Sequence, residues 1–348
     1  MVLSHATIRE VAERANVSIS TVSRILNGKS GHRASTVESV RRIASEIDRE
    51  EAQSAASLQA PESIGIVMAA FSNFLNTSYN STLISAILEA LTVEGFTTQF
   101  ITRCYSQMNA VFFRNVVRSY RLKGLLIPEF DISYAVSREL ASFGIPVVSI
   151  GNRNGAEMRC NICVDDFSAG CDAATYLWSL GHRSFGFIGM SQLDIGQRQR
   201  LTGFRETIRE LGGRPEDIWI REFRHIGDST TLAALELSRM PERPTALFST
   251  NSLMTQKLIS DLHRLGIDTP EDISIISFEE NGELEFLNTP VTVIAQPTRQ
   301  MGKAAVNALV RLLHGYPVEA RHRLDYALVI RESTRSCKTH NLNTEEKK

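Results

Sequence analysis

Thr7-Ile8-Arg9-Glu10-Val11-Ala12-Glu13-Arg14-Ala15-Asn16-Val17-Ser18-Ile19-Ser20-Thr21-Val22-Ser23-Arg24-Ile25-Leu26-Asn27-Gly28 opens the chain with two short amphipathic runs and a tight break between them. Thr7 with Glu10 three residues on reads as a capping box for a helix over Ile8–Arg14, with Ile8, Val11 and Ala12 inward. Asn16 suits a left-handed turn position, and Ser18 can cap a second helix over Ile19–Leu26 whose Val22, Ile25 and Leu26 face inward. A third apolar stripe, Val37, Val40, Ile43, Ala44 and Ile47, predicts a helix over Thr36–Ile47. The pattern is a helix-turn-helix within a three-helix unit. Spacing alone also fits a mere packing module.

The outward residue types suit nucleic acid. Ser18, Thr21 and Ser23 can hydrogen-bond phosphates, helped by the free N–H groups at the start of the second helix. Ile19, Ser20 and Arg24 suit base edges: an apolar contact for a thymine methyl, an adaptable hydroxyl, and a guanidinium for guanine. Net charge is −1 over 348 residues, but residues 1–50 carry eight Lys/Arg against six Asp/Glu, so a phosphate-binding function belongs at this end.

Taken together, this run resembles the headpiece of the LacI/GalR family of transcription regulators almost position for position. The resemblance implies base contacts from Ile19, Ser20 and Arg24, and backbone contacts from Thr7, Ser18, Thr21, Ser23 and Asn27. Relatives follow the headpiece with a hinge helix, opened by Tyr-x-Pro-Asn and containing Ala-Arg-Ser-Leu, that enters the minor groove. Here Ala55, Ser57 and Leu58 persist, making Leu58 the expected wedge between base steps. Glu51 and Ala52 stand in place of Pro and Asn, Ala56 in place of Arg, and the Asp48–Ser63 stretch is acidic and ends with Pro61 close before the first strand. A short helix there, with DNA binding weaker or differently spaced than in its relatives, is the expectation.

From Ile64 onward, short buried runs alternate with amphipathic helices, the mark of parallel sheets in βαβ units. The overall expectation is an α/β protein: a three-helix headpiece followed by two doubly wound parallel-sheet lobes. Ligands of such sheets bind outside the carboxyl ends of the strands. The resemblance continues here through Val164-Asp165-Asp166, Leu180-Gly181-His182-Arg183, Arg200-Leu201-Thr202-Gly203-Phe204, Pro270-Glu271-Asp272-Ile273-Ser274 and Gln296-Pro297. It implies a periplasmic-binding-protein-like core that returns to its first lobe near residue 296. The expected division is a headpiece at 1–50, a hinge at 51–63, a two-lobed effector and dimerisation domain at 64–335, and a tail at 336–348. Lobe 1 takes 64–165 and 296–325, lobe 2 takes 166–295 and 326–335.

By the same resemblance Arg200 is the leading effector contact, because a guanidinium can hold two hydroxyls or a carboxylate at once. An interlobe salt bridge is its alternative role. Asn152, Asn251 and Glu279 occupy further contact positions, with Tyr79 and Asp194 beside them. Glu279 replaces the family's Asp and Ser252 replaces another, so no particular pentose or hexose is implied. The stretch Met68–Asn76 reads as expanded relative to the family's first loop, either lining the cleft or, the preferred reading, lengthening a surface loop.

Enzymatic readings find little support. Gly-x-Gly-x-x-Gly, Walker and Gly-x-Ser-x-Gly motifs are absent, and the eight His lack metal-ligand spacing, so neither metal nor cofactor is expected. Asp165-Asp166 reads as a solvated or capping pair, and His182 as a turn residue. The five cysteines, Cys104, Cys160, Cys163, Cys171 and Cys337, read as reduced and mostly buried. With no leader-like start and no apolar run of membrane-spanning length, the expected setting is cytoplasmic. The implied partners are a pseudo-palindromic DNA operator, a small-molecule effector of the sugar class, and a second copy of the chain, with repression the implied outcome. A sugar-binding protein of the same two-lobed fold is the alternative.

Overall fold

The computed structural model describes residues 5–26, 33–57, 63–69, 78–103, 109–128, 140, 142–151, 160–190, 195–223, 227–278 and 282–337. It divides the chain into two compact units, Met1–Pro61 and Glu62–Lys348.

The first unit is built from α1 (His5–Arg14), α2 (Ile19–Leu26) and α3 (Ala34–Ser57). Its core consists of Val11, Ala12, Val22, Ile25, Val40, Ile43, Ala44 and Ile47. Two expectations are corrected. Helix α1 starts at His5, so Thr7 lies inside it rather than capping it, and Glu10 pairs with Arg14 at 2.8 Å. The break expected after Ile47 is missing, since α3 runs on to Ser57. Residues 48–57 hold no Gly or Pro, and the breaking pair expected at 51 and 52 is Glu-Ala, two residues that propagate a helix.

The second unit contains two six-stranded sheets. The first is formed by β1 (Ser63–Ala69), β2 (Thr97–Arg103), β3 (Gly124–Pro128), β4 (Val147–Ile150), β5 (Cys160–Cys163) and β11 (Arg321–Arg323). Its order is β11-β5-β4-β3-β1-β2, parallel throughout. The second is formed by β6 (Phe185–Met190), β7 (Trp219–Phe223), β8 (Ala246–Ser249), β9 (Ser274–Phe278), β10 (Thr292–Ala295) and β12 (Ala327–Val329), in the order β12-β10-β9-β8-β6-β7. Only β12 runs antiparallel to its neighbour in that sheet. Central strands such as β3 and β9 are buried along their whole length, as expected where helices cover both faces.

Around the first sheet lie α4 (Ser78–Val93), α5 (Ala110–Ser119) and α10 (Thr298–Leu313); around the second lie α6 (Asp166–Ser179), α7 (Ile195–Glu210), α8 (Gly227–Arg239) and α9 (Ser252–Arg264). The chain crosses between lobes three times, at Val164–Asp165, at Gln296–Pro297 and over Leu324–Tyr326.

The segment after β12 is sewn across lobe 2. Ser333 Oγ donates to Ile275 O and accepts from Thr292 N, Arg335 N donates to Ser274 Oγ, and Cys337 N donates to Leu180 O. His182 lies in the loop between α6 and β6, as expected, and is only 2% exposed. One ring nitrogen lies 2.9 Å from Thr245 Oγ1 and the other 3.1 Å from Arg335 O, so the ring rivets this segment to the lobe. The four described cysteines are free thiols; Cys160 and Cys163 are buried, while Cys171 and Cys337 are half-buried. Burial pushes the Cys160 thiol up to about 11. Cys104 and most of the 68–76 loop lie outside the described residues.

Candidate nucleic-acid interface and ligand cleft

In the first unit, the turn before α2 has Asn16 at φ 51°, the left-handed geometry that Asn tolerates. Ser18 Oγ then accepts from Thr21 N at 3.2 Å and lies 2.8 Å from Ser20 Oγ and 2.9 Å from Thr21 Oγ1. Three hydroxyls are thus gathered at the positive end of α2, where an anion finds both free N–H groups and the helix dipole.

Val22 and Ile25 point into the core, which turns Ile19, Ser20 and Arg24 to solvent. Ile19 is 46% exposed, a large apolar side chain left open to water. Arg9 and Arg42 are engaged with acids four residues on, at 3.6 and 3.0 Å. Arg24 makes no ion pair among the described residues. Ser23 is half-buried on the flank of the same helix. The side chain of Thr7, and all of Asn27 and Leu58, fall outside what is described.

In the second unit, Arg200 projects from the first turns of α7 and is 6% exposed. Its Nε donates to Gly196 O at 3.2 Å and sits 3.4 Å from Asp166 Oδ1, and its Nη1 donates to Thr250 O at 3.4 Å. The guanidinium carbon lies 3.8 Å above the Phe278 ring. Both partners of this ion pair belong to lobe 2, and among the described residues Arg200 makes no salt bridge to lobe 1. Arg200 joins α6, α7, the end of β8 and the end of β9 at the carboxyl edge of the second sheet.

The acidic doublet separates into two roles. Asp165 caps α6, accepting from Ser168 N at 3.1 Å, and also receives Arg323 Nη1 at 3.0 Å. Asp166, at 4% exposure, is turned inward to Arg200. Beside them, Thr250 Oγ1 donates to Gln197 Oε1, and Thr255 Oγ1 links Ser249 Oγ at 2.7 Å to Ser277 Oγ at 2.8 Å. This buried polar network at the ends of β8 and β9 is not visible in any sequence motif.

Asn251 stands at the same edge, where its Oδ1 caps α9 by accepting from Met254 N at 3.0 Å. Tyr79 is 1% exposed and packs in the apolar cluster that includes Met68, Leu83 and Ile150, because the first turn of α4 faces the sheet. Asn152, Asp194 and Glu279 lie outside the described residues, each next to a described end at Gly151, Ile195 and Phe278.

Among the described residues no cluster of His, Cys, Asp or Glu could hold a metal ion, and no helix is long and apolar enough to cross a membrane.

Residues 7–48 match the family described as bacterial regulatory proteins, lacI family, and residues 174–334 match the family described as periplasmic binding protein-like domain. The chain is 27% identical over 338 residues to the HTH-type transcriptional repressor CytR of Escherichia coli (strain K12), covering 95% of this chain and 97% of the relative. Among solved structures, the transcriptional regulator CelR–cellobiose complex superposes with a TM-score of 0.69 at 24% identity, covering 94% of this chain and 99% of the other. The lac repressor dimer bound to operator and the anti-inducer ONPF gives a TM-score of 0.69 at 21% identity, covering 93% and 98%.

Proposed function

The chain belongs to the LacI family of bacterial regulatory proteins, and on that footing we propose that it is a sequence-specific DNA-binding repressor whose operator affinity is set by a small molecule held between its two lobes. It is a regulator rather than an enzyme. The observation that carries the reading is the exposed face of α2, where Ile19, Ser20 and Arg24 leave the packed core free and the Ser18–Ser20–Thr21 hydroxyls gather at the helix start. Arg24 supplies the guanine contact, Ile19 the thymine-methyl contact, and Ser18, Thr21 and Ser23, with Thr7 and Asn27, the phosphate contacts.

The chain acts as a homodimer in the cytoplasm, because a pseudo-palindromic operator presents two half-sites at a fixed separation. Residues 1–50 read DNA, 51–63 connect, 64–335 bind effector and partner copy, and 336–348 form a tail. Arg200 leads the effector contacts, with Asn152, Asp194, Asn251 and Glu279 as further candidates. A sugar or sugar derivative, rich in hydroxyls, suits a site that offers a guanidinium and side-chain amides as hydrogen-bond partners. Binding there biases lobe orientation and hence the spacing of the two heads.

The test is selection of sites from random duplexes by the purified chain at a stated salt concentration, with Arg24→Ala as control. Recovery of a palindrome that the variant fails to enrich supports the reading. A folded chain that enriches nothing at low salt moves the function to ligand binding alone.

A further inference from the structure

We propose that Tyr326, acting through Asp172, is a positioning residue that fixes where the two lobes bend relative to each other; the inference rests on the two-lobed effector response proposed above. The third crossover is three residues long, Leu324, Asp325 and Tyr326, between β11 in the first sheet and β12 in the second. Each end is fastened. Leu324 N donates to Cys163 O at 2.8 Å, which ties it to β5 and so to lobe 1. Tyr326 OH donates to Asp172 Oδ2 at 2.6 Å, which ties it to α6 and so to lobe 2. A phenol donating to a carboxylate at that distance is a charge-assisted hydrogen bond, the stronger kind.

Lobe rotation requires backbone angles to change in every crossover. With Leu324 held on one side and Tyr326 on the other, the change in the third crossover is confined to the exposed Asp325. That places it beside the first crossover, Val164–Asp165, and Arg323 bridges the two by its 3.0 Å pair with Asp165. The helix that Tyr326 grips is also the one whose first turn carries Asp166 against Arg200. Tyr326 therefore fastens the crossover to the element that bears half of the buried ion pair.

Without the phenolic hydroxyl, Tyr326 and Asp325 both become free to bend, and the lobes sample more than one relative orientation. The arrangement is measured directly by double electron–electron resonance between spin labels at Val111 and Leu232, exposed positions on α5 and α8. The full chain is used, with Cys104, Cys171 and Cys337 replaced by Ser, diluted with unlabelled protein so that pairs within one chain dominate. Tyr326→Phe should raise the population of a second interlobe distance about threefold to tenfold, the range for an ordinary hydrogen bond, because water at the exposed Asp172 screens the charge-assisted part. Asp172→Leu should match it. Asp172→Asn keeps an acceptor and should restore most of the original distribution, whereas an effect through helix stability alone would not follow the acceptor. Tyr316→Phe, an exposed tyrosine elsewhere, serves as control.

An unchanged distribution in folded Tyr326→Phe overturns the proposal, as does equal broadening in Asp172→Leu and Asp172→Asn. Should Tyr326→Phe fail to fold, the two Asp172 variants decide. Neither DNA nor effector enters the measurement, so its failure is separate from failure of the site selection.

Discussion

Arg200 Nε and Asp166 Oδ1 lie 3.4 Å apart at the carboxyl edge of the second sheet, and both side chains are almost wholly withdrawn from water. Breaking such a pair leaves a charge with no compensation in a poorly polarisable site, at a cost of roughly 3–5 kcal/mol. Asp166→Ala should fall near the lower end of that range, since Gly196 O, Thr250 O and the Phe278 face still hold the guanidinium. Urea unfolding measures it. A loss no greater than that of an exposed aspartate such as Asp217 would show that the pair carries little of the stability.

Two glycines let α6 and α7 meet. A Cβ on Gly203 would sit 2.1 Å from Phe167 O, and one on Gly170 would sit 2.1 Å from Arg200 O. Either alanine must push the helices apart at the ion pair, costing about 1–3 kcal/mol for overpacking alone. Gly95→Ala meets no atom within 4 Å and bears only the strain of φ 77°, so its melting temperature should fall least.

Acid should loosen the C-terminal segment through His182. Burial is the main cause that lowers its pKa below the ordinary 6.5, so the neutral ring is the native form at pH 7. As pH falls through 6.5 the unfolded chain takes up the proton first, and stability declines until the folded-state value is reached. His182→Asn should flatten the dependence of unfolding free energy on pH as the pH falls below about 6.5. A slope in that window identical to the parent's would remove His182 as its source.

On DNA, Arg24→Ala should weaken the selected site by about 1–3 kcal/mol and relax preference at one base pair of each half-site, whereas Thr21→Val should weaken all sequences alike. Titrations at one fixed salt concentration distinguish the two. If Arg24→Ala lowered affinity uniformly, the arginine would be a phosphate contact.

Because α3 passes unbroken through residues 48–57, Leu58 follows a helix that carries Glu50 and Glu51. The expectation is binding weaker than in relatives with a basic hinge. Leu58→Ala reports on insertion: if Leu58 is a wedge, both affinity and the bend of the duplex fall, while unchanged bending in gel-phasing assays would show that it stays outside the groove.

Much of this fold is readable in the chain because its central strands are buried on both faces and its helices are amphipathic: β3, β4, β6, β8 and β9 stand out as short apolar runs between amphipathic stretches. The edges are not readable. Arg-His-Arg in β11 and Ala-Leu-Val in β12 are three residues each, and only their neighbours in space make strands of them. Cys160–Cys163 attracts notice for its thiols and not as β5. At the site, Arg200 is legible through the resemblance, whereas Asp166 hides behind Asp165: two adjacent carboxylates look solvated until the first turn of α6 sends one outward and the other inward. The helix over Ala34–Ser57 shows the opposite limit, where the memory of a hinge in relatives conceals a local sequence with nothing in it to stop a helix.

The late position of β11, β12 and the sewn segment after them sets an order on synthesis. When the ribosome has made about 320 residues, each sheet still lacks one of its edge strands, and Ile275, Ser274 and Leu180 still await their last partners. The head, complete within the first 61 residues, has no such wait. A nascent or prematurely terminated chain would thus carry a finished reader without finished lobes, able to meet DNA one half-site at a time and deaf to any effector.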